Sequence, residues 1–282
     1  MSRPSAVGLV VRQARYQNRI FWRTPVAAFF TLVLPLIMLV LFVALFGNDE
    51  LDDTIYGFVR IAQFYTPGLA VFSAASATFT NIGINLSTRR DLGVLKRVRG
   101  TPIPPGVYLA GVVVSAVWVA LLATVVMVGV GVVAYDVNIE LAKLPAMALA
   151  FVVGAATFAM LGVTVAAVAK TSQTAQSLTQ ATLLPLAFVS DVFISLGGPD
   201  DSPAWLEIVG DIFPLKHFVQ AFGIPMSPAS EAPAFESGHL AVLVAWLALG
   251  AVVSSRRFRW EPMPGATAGR RHRSRSASPG RN

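Results

Sequence analysis

The sequence contains no cysteine and few charged residues, and both absences narrow what the protein can be. Without cysteine there is no disulfide, no thiolate metal site and no cysteine nucleophile. Charged residues make up 13% of the 282 residues, against about 25% in an average soluble domain, and 55% are hydrophobic. One core could not hide that much apolar surface, because much of a globule's surface faces water. The composition therefore predicts that most of the chain lies in a lipid bilayer.

The motifs of common catalytic sites are also absent. The sequence has no G-x-x-x-x-G-K-[ST] loop to hold nucleotide phosphates, no H-E-x-x-H and no G-x-S-x-G. The three histidines, His217, His239 and His272, are scattered along the chain, which argues against a metal site. We therefore expect no enzymatic activity, no metal and no cofactor in this chain.

The sequence contains several long hydrophobic stretches without a charged residue. A hydrocarbon core about 30 Å thick requires about 20 helical residues. We predict an all-α integral membrane protein with six transmembrane helices, at 25–47, 61–86, 105–135, 144–169, 171–193 and 238–255. Between the fifth and sixth spans, residues 202–224 show two short amphipathic patterns broken at Pro214, which predict outer re-entrant helices.

The distribution of charge predicts how the spans are oriented. If the N-terminus is cytoplasmic, all but Arg60, Lys143 and Lys216 of the 22 basic residues fall on inner segments. All acidic residues except Asp91 and Glu261 then fall on the outer side. We therefore expect a multi-pass protein of the plasma membrane with both termini cytoplasmic, ending in a disordered basic tail at 259–282.

A basic stripe marks the N-terminal segment. Its arginines recur every three or four residues between about 5 and 23, and they are Arg12, Arg15, Arg19 and Arg23. This spacing predicts an interfacial helix along the inner leaflet that contacts lipid headgroups. The alternative is a positively charged flank with no further role.

Two spans carry hydroxyl and amide side chains at the spacing i, i+3, i+7. They are Thr78, Asn81 and Asn85 in the second span and Gln173, Gln176 and Gln180 in the fifth. Facing lipid, such groups would lack hydrogen-bond partners. The two polar faces indicate either a substrate path or helix–helix packing, and both interpretations stay open.

The segment 87–104 between the second and third spans is basic and ends in glycine and prolines. An apolar stripe formed by Leu92, Val94, Leu95 and Val98 accompanies its charges. This pattern predicts a short amphipathic helix that sits in the groove of a partner protein. Its cytoplasmic position and short length argue against nucleic acid, and anchoring by positive charge alone is the alternative.

In the order of these features the chain resembles the ABC-2-type membrane subunits of ATP-binding-cassette exporters, especially the daunorubicin-resistance-like permeases of actinobacteria. The resemblance covers about 8–258. Besides the interfacial helix, it is carried by RRDLGVLKRVRGTPIPPGVYLAG at 89–111, LPLAFVSDVF at 184–193 and PAWLEIVGDIFPLKH at 203–217. Two positions depart from the family pattern. Asp91 follows two arginines where the family has an acid followed by Arg and Gly, and Asp191 replaces a small residue.

The resemblance implies that residues 1–258 form an ABC-2-type transmembrane domain. Two copies of it, or one with a paralogous permease, would form the pore. Two copies of an ATPase subunit would dock below and would bind ATP and Mg. The substrate would be a hydrophobic or amphipathic drug, antibiotic or lipid, although related exporters carry saccharides.

The resemblance also implies roles for individual residues. The inner segment would be the coupling loop, in contact with the ATPase through Arg90, Asp91, Leu92, Leu95, Lys96 and Arg97. The two polar faces would line the substrate path. The outer gate would include Asp191, Phe193, Trp205 and Phe213. On sequence alone Asp191 fits a wet membrane boundary as well as a functional acid.

Two other classes of membrane protein compete with this interpretation. A proton-coupled secondary efflux transporter would require intramembrane carboxylates or histidines and repeated halves, and beyond Asp191 the spans offer neither. In a non-transport membrane scaffold the polar faces would only pack helices. Dependence of transport on ATP separates these classes.

Overall fold

A computed structural model describes residues 5–53, 57–101, 103–193 and 204–261, and all structural statements concern these ranges. The described chain is mostly helical. Its helices are α1 (Ala6–Trp22), α2 (Pro25–Phe46), α3 (Ile61–Asp91), α4 (Val94–Arg99), α5 (Pro105–Tyr135), α6 (Leu144–Val168), α7 (Ser172–Val189), α8 (Ala204–Ile212), α9 (Pro214–Gly223) and α10 (Ser237–Arg257). Almost all of the predicted tail at 259–282 lies outside the described residues.

Five of these helices are long and apolar enough to cross a membrane. They are α2, α3, α5, α6 with the 3-10 turn Leu141–Lys143 that precedes it, and α10. The helix at the predicted fifth span, α7, has 18 residues, and its three glutamines lower its hydropathy below that of the other spans. Length and composition therefore support five of the six predicted spans, and α7 as a sixth remains a prediction.

The mostly helical chain agrees with the predicted all-α class, and one short hairpin accompanies the helices. Strands β1 (Glu50–Asp53) and β2 (Gly57–Arg60) pair antiparallel between α2 and α3. The register places Glu50 opposite Arg60, a cross-strand pair of opposite charges. Strands of four residues are too short for an alternating pattern to stand out in the sequence, so the hairpin was not predicted.

Several helix ends differ from the predicted bounds. Helix α3 continues to Asp91, so residues 87–91 of the predicted coupling loop are helical. Gly93 then adopts a left-handed conformation with φ 71°, which favours glycine and turns the chain into α4. Helix α7 stops at Val189, short of the predicted 193, and Asp191 just beyond it is left-handed with φ 55°.

Two of the spanning helices contain a π-helical turn, at Phe29–Val33 in α2 and at Ser76–Thr80 in α3. A π turn holds one more residue than an α turn. Residues before such a turn are therefore rotated about the helix axis relative to those after it. This rotation decides which side chains of α3 share a face.

Helix α3 is the centre of the packing. Every residue from Ile61 to Ala75 is buried, and the helix contacts α2, α5, α6, α7 and α9. Only 17% of the most apolar 18-residue stretch of α10 is buried, against 72% of the corresponding stretch of α3. Helices at the periphery of the bundle, such as α10, thus present apolar side chains to their surroundings, as a protein embedded in lipid must.

The ends of three helices meet at Arg90, on the side of the molecule that the sequence predicts to be cytoplasmic and that is called inner here. Its side chain is buried, and its Nη2 donates to the carbonyl of Ala169 (2.6 Å) while Nη1 donates to that of Ala166. The neighbouring Asp91 carboxylate accepts from the backbone N–H of Ser172 at the start of α7 (2.6 Å). Arg90 and Asp91 together, here called the inner clasp, fasten α3 to the end of α6 and the start of α7.

A close approach at Gly154 sets the seating of α9 on α6. A Cβ at this position would lie 2.3 Å from ring atoms of the fully buried Phe218. Neither the backbone of α6 nor the enclosed ring has room to move by that amount. The absence of a side chain at Gly154 therefore allows α9 to pack on α6.

Replacing Gly154 with alanine should destabilise the fold by about 1–3 kcal/mol through overpacking. Thermal unfolding in detergent would measure the change. Gly129→Ala is the matched control, because no atom lies within 4 Å of a Cβ there. Equal melting temperatures for the two variants would contradict the packing described.

Replacing Arg90 with methionine should lower the free energy of unfolding by roughly 2–4 kcal/mol, because two hydrogen bonds from a buried charge are lost. Titration with sodium dodecyl sulfate in mixed micelles would measure it. The exposed Arg97, changed to methionine, removes the same charge and should stay within about 0.5 kcal/mol of the wild type. If Arg97→Met lowered the free energy of unfolding by as much as Arg90→Met, the inner clasp would not stabilise the fold as described.

Candidate functional site

A cavity of about 610 Å³ lies between α1, α2, α3, α5 and α7. Its walls are mainly apolar, with amide and hydroxyl groups among them. Four of the six predicted path residues line it, and these are Asn81, Asn85, Gln176 and Gln180. The fold therefore brings the polar faces of α3 and α7 to one cavity. None of these four amides makes a hydrogen bond within the described chain.

The other two predicted path residues do not line this cavity. Thr78 is fully buried and its hydroxyl donates to the carbonyl of Ala74 in its own helix (2.7 Å). It lies within the π turn of α3, which rotates the face that begins at Asn81, so that Ser76 lines the cavity instead. Gln173 is exposed on the first turn of α7, away from the cavity.

Sequence reasoning missed the cavity residues contributed by other helices. Gln17 comes from α1, Thr24 from the turn between α1 and α2, Thr31 from α2 and Ser115 from α5. A signal existed for Gln17 alone, because it lies off the arginine stripe of an amphipathic helix. The structure exposes the four arginines of that stripe and buries Gln17.

Helix α4 presents a different face from the one predicted. Leu95 is completely buried, in a cluster with Leu86, Tyr108 and Val163, and Val98 packs against the same cluster. The prediction that the apolar stripe sits in a partner's groove is therefore corrected for Leu95: the stripe's centre packs against this chain's own helices. Lys96 and Arg97 are exposed.

The remaining predicted coupling residues divide in the same way. Arg90 and Asp91 are engaged in the inner clasp. Because Arg90 is buried, the prediction that it contacts an ATPase directly is also wrong. Leu92 is 54% exposed at the turn before α4. The surface of α4 that a partner could touch is thus basic, with Leu92 beside it. We call Leu92, Lys96 and Arg97 the α4 face.

The four predicted gate residues lie in two separate places. Asp191 is only 3% exposed, so it does not lie at a wet boundary as one interpretation of the sequence had it. Its carboxylate accepts a hydrogen bond from the Gln220 side chain (3.2 Å). Phe193 is buried nearby, and its carbonyl accepts from the Tyr65 hydroxyl (3.2 Å). Trp205 is 63% exposed on α8.

The fourth gate residue, Phe213, lies between α8 and α9 and stacks on Trp246 of α10, with ring centroids 6.1 Å apart. The indole N–H of Trp246 donates to the carbonyl of Ile212 (3.0 Å). These contacts fix the junction of α8 and α9 against α10. Phe213 is thus an attachment point of the outer helices, apart from the buried pair of Asp191 and Phe193.

Two histidines that are far apart in the sequence meet in the fold. The Nδ1 atoms of His217 and His239 are 2.8 Å apart, and His217 Nε2 lies 2.8 Å from the carbonyl of Asp211. Because a carbonyl only accepts, His217 donates through Nε2, and its Nδ1 then accepts from His239. The pair thus forms a hydrogen bond between α9 and α10. In the described residues no three side chains of the metal-ligating types are grouped.

Comparison with known proteins gives a family and a curated relative. The ABC-2 type transporter family matches residues 10–226, which is more than half of the chain. A curated relative from Streptomyces coeruleorubidus, the daunorubicin resistance ABC transporter permease protein DrrB1, is 29% identical over 225 residues. The match covers 78% of this chain and 75% of the relative. The chain belongs to the ABC-2 type transporter family, as a membrane permease subunit of the kind that works with ATPase subunits.

Proposed function

We propose that this permease exports a hydrophobic or amphipathic compound, such as a drug, an antibiotic or a lipid, across the plasma membrane. The observation that carries the proposal is the cavity, in which unbonded amides of α3 and α7 share an apolar enclosure. Its volume of about 610 Å³ lies within the range of small-molecule sites. The relative from Streptomyces coeruleorubidus is named for resistance to the drug daunorubicin.

Two ATPase subunits supply the energy in this proposal, and they bind the ATP and Mg. One of them docks at the α4 face, where the exposed Lys96 and Arg97 suit an acidic groove. The fold supports mechanical coupling from that point. Leu95 anchors α4 in the cluster with α3 and α5, and the inner clasp joins α3 to α6 and α7. Movement of α4 would therefore reach the cavity walls.

A second permease, either another copy or a paralogue, would complete the translocation path. Helix α7 buries only Ala175, Thr179, Leu183 and Ala187, which form a single stripe. Its glutamines are exposed, and amides facing lipid would lack partners. A second permease packed against α7 would shield these glutamines from lipid, which the helices of this chain do not do. The exposed arginines of α1 would meet lipid headgroups, with both termini cytoplasmic.

The outer gate in this proposal is the buried pair of Asp191 and Phe193. Phe193 packs against Phe72 and Phe188, with ring centroids 5.3 and 5.0 Å away, so it joins α3 to the end of α7. Both helices also line the cavity on the inner side. A rearrangement that separates α3 from α7 would loosen this aromatic closure. Trp205 and Phe213 lie apart from this pair, and in this proposal they belong to the gate as part of α8 and its junction with α9.

Reversing charge on the α4 face should uncouple ATP hydrolysis from export. With Lys96→Glu and Arg97→Glu combined, and the ATPase co-reconstituted in proteoliposomes, we expect at least about tenfold less ATP-driven export. The wild type should export only with ATP, and membrane insertion should be unchanged because both side chains are exposed. Leu95→Asp is unsuitable for this test, since burying a carboxylate there should unfold the inner end.

Arg256→Glu is the matched control, because it reverses an exposed charge on α10 that is not part of the α4 face. It should leave export unchanged. Export by the wild type that needs a proton gradient and no ATP would instead identify a secondary transporter. Unchanged export in the double variant would reduce the α4 face to a membrane anchor.

Cysteine labelling should separate a substrate path from helix packing, and the absence of natural cysteine removes background. We expect Asn81→Cys and Gln176→Cys to react with a small maleimide in membranes, because both line the cavity and thiolates form only in water. Thr78→Cys, three residues from Asn81 but fully buried, should not react. A transported compound should protect the first two positions. Equal rates at positions 78 and 81 would mean that the amides only pack helices.

A further inference from the structure

The charge of the cavity walls is one-sided. Among the described residues that line the cavity, Arg89 is the one charged side chain and none is acidic. The apolar part of the wall includes Phe30, Leu34 and Phe72. An enclosure with a single cationic group and apolar walls distinguishes between amphipathic molecules by the charge of their polar end.

Arg89 is positioned and yet has most of its donors unused. It lies on the last turn of α3, and its Nη1 donates to the hydroxyl of Tyr108 (2.8 Å), a buried residue on the first turn of α5. A guanidinium group has five N–H donors. Within the described chain Arg89 makes no other hydrogen bond and no ion pair. Arg90, next to it, is by contrast committed to two carbonyls and Asp91.

A second donor in the same cavity also lacks a partner. Gln17 is only 8% exposed, and its Nε2 is buried without a hydrogen bond in the described chain. Its helix is held close to α5 at Gly111, where a Cβ would lie 2.4 Å from the side chain of Gln13. Gln17 is one turn after Gln13 and is therefore fixed on that side of α1. A buried donor without an acceptor is destabilising, so a ligand that accepts would be favoured here.

We propose that Arg89 and Gln17 bind the polar end of the exported compound, and that this end is an anion such as a carboxylate, phosphate or sulfate. The inference rests on the proposed export function and narrows its substrate class. Planar guanidinium groups pair well with such oxyanions, and the amide N–H adds a neutral donor. The apolar walls hold the rest of the molecule. A cation of similar size meets the Arg89 charge with no carboxylate to offset it.

The exposed basic residues nearby act in the same direction. The arginine stripe of α1 and the α4 face make the inner side of the molecule positive, which raises the local concentration of anions. Positive charge placed only to orient the chain in the membrane would explain these exposed residues. It would not explain a guanidinium fixed by Tyr108 at a cavity wall, or a buried amide donor without a partner in the same cavity.

The test uses the full chain with its ATPase in nanodiscs of zwitterionic lipid and three probes with one apolar body. These are pyrenebutyrate, its amide, and pyrenebutyl-trimethylammonium, and binding is followed by pyrene fluorescence. We expect the wild type to bind the anion about tenfold or more tightly than the cation. Arg89→Gln should weaken the anion about tenfold and leave the amide within about twofold. Arg256→Gln, which removes an exposed charge outside the cavity, should change neither.

Asn85→Asp provides a second variant with little risk to folding, because the residue is exposed and the change is isosteric. It adds a carboxylate to the cavity wall and should shift preference toward the cationic probe. A wild type that binds the cation as well as the anion would overturn the inference. So would an Arg89→Gln variant that weakens all three probes equally.

Further arms identify the source of the anion and separate this inference from the export function. If a phospholipid headgroup occupies the site, adding phosphatidylglycerol to the nanodiscs should displace pyrenebutyrate. If free amphiphiles occupy it, displacement should be absent. In proteoliposomes that contain the same subunits, ATP-driven export of the amide without preference for the anion would reject the anion site and keep the export function. Anion-selective binding without export of any probe would reject the export function and keep the anion site.

Discussion

The half of the molecule that is predicted to face the cytoplasm depends on one buried arginine. Arg90 donates to the carbonyls of Ala166 and Ala169, which close the C-terminal end of α6. A buried cation is expensive unless it is paired, and here the end of the helix dipole, two carbonyls and the Asp91 carboxylate all favour it. Asp91 in turn accepts from the first turn of α7. One dipeptide therefore fixes where α7 starts, and with it the position of Gln176 and Gln180 on the cavity wall.

In the proposed coupling, the same dipeptide helps a short helix to transmit force. Helix α4 has six residues, too few to be stable by itself in water. Its position comes from Leu95, which is enclosed by side chains of α3, α5 and α6, and from the turn at Gly93 directly after the inner clasp. If an ATPase docks at the α4 face as proposed, the packing of Leu95 and the hydrogen bonds of Arg90 and Asp91 would connect it to the helices that line the cavity.

The fold could be predicted from the sequence to the extent that it depends on the bilayer. Uncharged runs identify helices such as Pro105–Tyr135, because lipid excludes both charges and unsatisfied backbone groups. The site was predictable in part. Periodicity identified Asn81 and Asn85, but it assumes an unbroken α-helix and so wrongly included Thr78, whose face the π turn rotates. Amphipathicity showed that α4 has an apolar stripe, but not that this chain itself buries Leu95. The contact of His217 with His239 depends on tertiary packing, of which sequence spacing carries no record.

Arg89 and Arg90 show most clearly what a count of charges leaves out. The rule that orients membrane proteins weighs the two residues equally, since both are basic and both lie at the inner end of a span. The structure gives them opposite roles, because successive residues of a helix point about 100° apart. Arg90 turns toward α6, where carbonyls use its donors, whereas Arg89 turns toward the cavity and is held there by a single contact with Tyr108. A cation whose position is fixed and whose donors remain available has the properties of a ligand-binding group. Excess positive charge at an inner loop can therefore serve topology and recognition together, and the pattern of satisfied donors distinguishes the two.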